Sequence, residues 1–411
     1  TGFSGLGMAI KLREAGYNDF VILEQSDDIG GTWHQNHYPG CACDVQSALY
    51  SFSFEQNPNW SRMYAQQHEI KAYLKHCAEK YGLMKHIRLN THVTGARFDE
   101  NRQRWTLETC DSPALWTYMQ EKGVKPGDRL DRTDKGLPEF TSLRADVLVS
   151  GMGGLSTPAY PEIKGIESFT GKRFHSQDWD HGYDLRGKRV AVIGTGASAI
   201  QFVPEVAKQA ARVDLYQRTP PWIMPKPDRA IRPLEKRLFR MFPQTLNAFR
   251  QSIYWSLEAR VLGFVGNPRI LKLGELQARR HIRNQIPDKA LRKKVTPDFH
   301  FGCKRVLISN NYYPALAQDH VDVVTEGIRE VQGNTVIDGQ GNKRQVDCII
   351  YGTGFRAQDP ILASMIFGRN GQDLLDAWKD GAEAYKGTTI SGFPNFFMLM
   401  RLPLRSALVM V

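Results

Sequence analysis

The sequence predicts an α/β protein with two dinucleotide-binding units and a helical insertion. Three observations predict it. The run "KRVAVIGTGASAIQFVPEVAKQAARVDLYQRTP" reads strand, glycine turn, helix, strand. The opening run "TGFSGLGMAIKLREAGYNDFVILEQ" reads glycine turn, helix, strand. Between Pro220 and Phe301, basic residues recur among apolar ones at helical spacing, as in "RPLEKRLFR" and "ARRHIRNQ".

Taken in order, the chain opens inside a βαβ unit. Gly5 to Ala15 is expected as helix and "FVILE" as the strand after it. Gly2 and Gly5 stand as the second and third glycines of a G-x-G-x-x-G turn. The first strand and first glycine are therefore expected upstream, and the chain reads as truncated at this end. The stretch from Asp111 to Leu143 is polar and rich in Gly, Pro and charge, and is expected as loop. "ADVLVSGMGG" and "VDCIIYGTGF" are apolar strands that end in glycine, which suits crossovers between nucleotide-binding units. The second such unit is complete and Rossmann-like. Gly194, Thr195, Gly196, Ser198 and Ala199 make its G-x-G-x-x-A turn, where backbone N–H groups and a helix N-terminus receive a pyrophosphate.

Composition bounds the function. The chain has 411 residues, enough for two or three domains, with 41% hydrophobic and 24% charged residues, as in a soluble globular enzyme. No apolar run is long enough to span a bilayer, and no signal peptide opens the chain. The cysteines are Cys41, Cys43, Cys77, Cys110, Cys303 and Cys348. They form no disulfide framework and no zinc spacing, so a cytoplasmic protein without metal is expected. The close pair Cys41 and Cys43 leaves a disulfide-reductase reading open. Net charge is +11. The basic residues between Lys226 and Arg305 suit solvated faces of amphipathic helices rather than a nucleic-acid surface, and they help attract an anionic cofactor.

The residue that ends the second strand of such a unit reads the ribose. In the first unit this is Glu24, an acid that accepts from a 2′-OH and repels a 2′-phosphate. That site is expected to hold FAD or NAD. In the second unit the strand "VDLYQRT" ends at Arg218, whose guanidinium grips a 2′-phosphate, so NADPH is expected. Two dinucleotide sites in one chain imply electron transfer between cofactors.

The longer motifs resemble those of class B flavoprotein monooxygenases, and among them the Baeyer–Villiger monooxygenases. The fingerprint F-x-G-x-x-x-H-x-x-x-W-[P/D] is met by Phe169, Gly171, His175, Trp179 and Asp180. A second motif is met by Gly30, Gly31, Trp33, Tyr38, Pro39, Gly40 and Asp44. "GCKRVLISNNYY" is similar to the family's catalytic-arginine segment, and "KGTTISGFPNFFML" to its C-terminal stretch. The family usually continues with a Gly-Pro-Asn turn and a flavin-covering helix, where this chain has "MRLPLRSALVMV". The resemblance implies FAD and NADPH as cofactors, and O2 with a ketone or sulfide as substrates. It implies that Arg305, with Asp44 as its carboxylate partner, stabilises a peroxyflavin that converts a ketone to an ester or lactone. Thr32, Trp33, Tyr50 and Val93 then join Gly2, Gly5, Glu24 and Asp44 at FAD. Thr219, Lys304 and Arg305 join Arg218 at NADPH. The fingerprint residues link cofactor binding to domain movement.

The implied domains are 1–155 (FAD-binding, first part), 156–225 (NADPH-binding, first part), 226–302 (helical insertion), 303–355 (NADPH-binding, second part) and 356–411 (FAD-binding, C-terminal part). An N- or S-oxygenating flavin monooxygenase and an inactive nucleotide-binding fragment stand as alternatives. The Trp179-Asp180 ending of the fingerprint favours the ketone reaction over the former.

Overall fold

A computed structural model describes residues 1–124, 128–261, 263, 268–356 and 363–399. The "MRLPLRSALVMV" stretch lies outside them. The chain divides into two compact units. One comprises Thr1–Gln35, Ile70–Thr157 and the segment from Phe355; the other comprises Asn36–Glu69 and Pro158–Gly354.

The first unit opens with the helix Phe3–Glu14, capped by Gly2. It buries Leu6, Ala9 and Ile10, a three- and four-residue spacing that lines one helix face. The expected "FVILE" strand shortens to Ile22–Leu23, paired in parallel with Ile87–Arg88. A four-stranded sheet follows in the order Ile366–Phe367, Thr91–Asp99, Arg104–Asp111, Phe140–Ala145. Trp105 anchors its core among Phe98, Leu374, Phe393 and Phe396, and its Nε1–H donates to the Pro394 carbonyl at 2.9 Å.

The Asp111–Leu143 stretch corrects the loop expectation. It contains the helix Ser112–Lys122. The Asp111 carboxylate accepts from the Ala114 N–H at 3.0 Å, and Gly123 closes the helix in the left-handed region. Both caps satisfy backbone groups that a short helix leaves orphaned. Leu115, Tyr118 and Met119 are buried, and that apolar face outweighs the polar composition.

The second unit is built on five parallel strands in the order Val321–Val324, Arg212–Tyr216, Arg189–Ile193, Cys348–Tyr351, Lys172–His175. The central strands are buried along most of their length, as a parallel sheet covered on both faces requires. The helix Ala199–Ala207 makes the crossover between two of them. Helices Pro233–Met241, Pro243–Glu258, Pro268–Gln285 and Lys289–Val295 fill the stretch before the Arg305 segment.

Residues 36–69 group with this second unit, although the sequence expectation placed them within 1–155. Specific contacts hold them there. The Arg250 guanidinium donates to the carbonyls of Ala48, Leu49 and Ser51 at 2.8, 2.9 and 3.1 Å. Arg62 pairs with Asp228 at 2.9 Å.

Candidate functional site

In the second unit the sheet presents its phosphate loop at the C-terminal end of the Arg189–Ile193 strand. Gly194 has φ +106°, and a Cβ there would lie 2.4 Å from the Gly352 carbonyl oxygen. Glycine is required at that point. A Cβ on exposed Gly196 would meet only that same oxygen at 3.9 Å, so the outer side of the turn is open. Ser198 stands at the head of the helix that Ala199 begins. The Thr195 hydroxyl donates to the Thr219 carbonyl at 3.1 Å, which ties the loop to the end of the neighbouring strand. Arg218 is exposed there, and among the described residues no carboxylate pairs with it. An unpaired guanidinium beside an open glycine turn fits a 2′-phosphorylated dinucleotide. Lys304 is also exposed, with its Nζ 4.7 Å from the Phe299 ring centre.

Arg305 and Asp44, 261 residues apart, meet in this unit. The Arg305 Nη2 donates to Asp44 Oδ2 at 2.5 Å. Both side chains remain partly open to solvent, at 56% and 29%. Tyr50 lies half-buried on the same 36–69 segment.

The fingerprint residues form the wall of this unit. Phe169 is buried, and a Cβ on Gly171 would lie 2.5 Å from the Asp347 carbonyl oxygen. The Trp179 ring packs 5.2 Å from Phe174 and 5.4 Å from Phe202 of the crossover helix. Asp180 pairs with Lys172 at 2.6 Å. His175 is fully buried. Its Nδ1 accepts from the Gln177 N–H at 3.1 Å, so its Nε2–H donates to the Gly354 carbonyl at 3.0 Å. Burial pushes its pKa down to about 4, against a weaker upward pull from the Gly354 hydrogen bond.

In the first unit, three glycine stretches converge on the start of the first helix. A Cβ on Gly31 would lie 2.8 Å from the Gly2 Cα, and one on Gly151 would lie 3.3 Å from the Gly5 nitrogen. Glu24 is buried at the end of its strand and accepts from the Thr1 hydroxyl at 2.7 Å and the Ser26 N–H at 2.9 Å. Thr32 and Trp33 begin the short helix Thr32–Gln35, with Thr32 exposed and Trp33 buried. Val93 lies on the Thr91–Asp99 strand, beside a register shift between Val93 and Gly95. Close-packed glycines at a helix start, with an acid ending the next strand, fit a dinucleotide that carries a free 2′-OH.

Cys41 and Cys43 are both buried, and burial pushes each thiol up to about 12. That burial disfavours the thiolate a disulfide-reductase mechanism needs. Sequence reasoning missed Gln201, on the crossover helix. Its Oε1 accepts from the Tyr38 hydroxyl at 2.9 Å. The available signal was a polar residue in the first turn of the largely apolar run "AIQFVPEVA".

Two glycine turns at helix starts, one followed by the buried Glu24 and one by the exposed Arg218, suit an oxidoreductase that binds two dinucleotides. The profile for flavin-binding monooxygenase-like proteins matches residues 145–263, and that for an NAD(P)-binding Rossmann-like domain matches residues 1–66. A Baeyer–Villiger monooxygenase of Pseudomonas aeruginosa is 55% identical over 97% of this chain and 71% of its own length. The crystal structure of OTEMO in complex with FAD and NADP superposes with TM-score 0.80 at 29% identity, over 97% of this chain and 78% of that one. An ε-caprolactone-bound cyclohexanone monooxygenase gives TM-score 0.82 at 25% identity, over 97% of this chain and 80% of that one. The chain belongs to the Baeyer–Villiger monooxygenase family.

Proposed function

We propose that this protein uses NADPH and O2 to convert ketones into esters or lactones, with FAD as its cofactor. The observation that carries the reading is the Arg305–Asp44 pair at 2.5 Å, formed between two family motifs far apart in sequence. Bound flavin supplies the chemistry that takes hydride from the nicotinamide and activates O2.

The chain's own residues bind, orient and stabilise charge. Gly2, Gly5, Glu24, Thr32, Trp33 and Val93 hold FAD. The turn from Gly194 to Ala199 receives the NADPH pyrophosphate, and Arg218, with Thr219 and Lys304, receives its 2′-phosphate. Arg305 supplies a guanidinium that lowers the energy of the negative charge developing in the oxygenation. Asp44 orients that guanidinium. His175 pins the backbone of Gly354, where the chain leaves the nicotinamide domain. The free thiols, all buried except that of Cys303, suit a cytoplasmic enzyme, and its partner is a small ketone rather than nucleic acid.

The test is aerobic NADPH turnover by FAD-loaded protein with a panel of ketones and sulfides, followed by product analysis. Ester or lactone formation is expected. Sulfoxide with no ester from any ketone would move the reading to heteroatom oxygenation.

A further inference from the structure

We propose that Gln201 is a positioning residue for the Asp44–Arg305 pair: its amide clamps the chain segment that carries Asp44 onto the crossover helix. The proposal rests on the oxygenase reading above for its effect on turnover, and on geometry for the clamp itself.

Gln201 is the third residue of the helix Ala199–Ala207. Its Nε2–H donates to the Ala42 carbonyl at 2.9 Å, and its Oε1 accepts from the Ala42 N–H at 3.3 Å. The same oxygen accepts from the Tyr38 hydroxyl at 2.9 Å. One side chain therefore satisfies both backbone groups of Ala42. Only a primary amide presents a donor and an acceptor in this way. A carboxylate lacks the donor, and an aliphatic side chain lacks both.

The other edge of the segment is held by backbone. Cys43 N–H donates to the Ala65 carbonyl at 2.9 Å, and Gln67 N–H donates to the Cys41 carbonyl at 3.0 Å. The segment thus runs as a short strand with one paired edge, and Gln201 closes the edge that would otherwise be bare. Two further contacts seat it on the helix. Gly40 has φ +80°, and a Cβ there would lie 2.6 Å from the Gln201 carbonyl oxygen. The Tyr38 ring stands edge-on to Phe202 at 6.0 Å.

Asp44 follows Ala42 by two residues. Its ion pair with Arg305 is partly solvated, and such a pair enforces little geometry by itself. The position of the carboxylate must come from the backbone that carries it, and the clamp fixes that backbone. The arrangement also joins the helix that opens at the phosphate loop to the residue that orients Arg305.

The experiment uses FAD-loaded full-length protein in wild-type, Gln201→Leu, Gln201→Glu, Asp44→Ala and Gln201→Leu/Asp44→Ala forms. Four quantities are read: amide hydrogen exchange over residues 38–44, NADP+ affinity, the rate of flavin reduction, and ester formed per NADPH consumed. Gln201→Leu is expected to raise exchange in the segment and to lower ester per NADPH about tenfold, the net scale of losing the two hydrogen bonds to Ala42. NADP+ affinity and flavin reduction are expected to stay close to wild type. Gln201→Glu, which keeps only the acceptor, is expected to fall between. Adding Asp44→Ala to Gln201→Leu is expected to cost little more than Asp44→Ala alone, because both act through one carboxylate. Wild-type exchange and coupling in Gln201→Leu, or additive losses in the double variant, would overturn the proposal. If Gln201→Leu does not fold, Gln201→Glu is read by the same criteria. A wild-type protein that forms no ester would sink the oxygenase reading, and the exchange measurement would still decide the clamp.

Discussion

Arg305 presents its guanidinium to the Asp44 carboxylate at 2.5 Å. Arg305→Ala should keep NADPH-driven flavin reduction and lose ester formation by at least ~100-fold, the usual scale for a preorganised charge stabiliser. Stopped-flow reduction and product analysis on the same variant check this, and near-normal ester yield would clear Arg305 of the role. Arg218 differs in kind, since it lies exposed at a strand end with no carboxylate partner among the described residues. Arg218→Ala should weaken NADPH by about ten- to a hundredfold and leave NADH nearly unchanged. Equal losses for both coenzymes, measured by titration, would show that it does not discriminate between them. At this scale the sequence was most legible where chemistry demands one residue type at a fixed motif position. Arg305 and Asp44 were named from motifs, and the structure brings them to 2.5 Å. Gln201 was not named, because its role depends on a backbone segment some 160 residues away that no spacing rule connects to it.

At the scale of elements, the phosphate loop shows why local patterns read well when every level agrees. Strand, turn and helix are each encoded within a short window, and Gly194 is fixed by its φ of +106°. Gly194→Ala should push the turn away from Gly352 and abolish tight NADPH binding, while the first unit still takes up FAD. Coenzyme titration of a yellow, folded variant is the measurement, and wild-type affinity would show that the turn tolerates a side chain. The helix Ser112–Lys122 shows the opposite case. Its caps, Asp111 and Gly123, stand in the sequence, yet the Gly, Pro and charge that follow it dominate the composition of the whole window. The assignment of residues 36–69 to the second unit was hidden for another reason. It depends on Arg250, Asp228 and Gln201, all contributed from distant sequence.

At the scale of the whole molecule, no described helix is long and apolar enough to cross a membrane. Stability should carry the signature of His175. Burial lowers its pKa from 6.5 to about 4 in the folded protein. The unfolded chain therefore takes up a proton near pH 6.5 that the folded chain refuses until about pH 4. Stability from this group is complete above that window and falls as pH drops through it, by on the order of 3 kcal/mol. Urea midpoints at neutral and mildly acidic pH should show a larger acid loss in wild type than in His175→Gln. Equal losses in the two proteins would place the titrating group elsewhere.

The two passages of chain at the ends of Pro158–Gly354 bear on how such a protein is recombined. The Ala159 N–H donates to the Gly354 carbonyl at 2.9 Å, so the entry and exit of this long insert are neighbours. Genetically, it resembles a cassette that one exchange could move between related enzymes. The resemblance is incomplete, because Asn36–Glu69 belongs to the same unit and is encoded well upstream. A chimera that exchanges only 158–354 sets the Asp44 of one parent against the Gln201 and Arg305 of another. A chimera that takes 36–69 and 158–354 from one parent inherits the three as a matched set, and productive crossovers between relatives should cluster at the edges of both stretches.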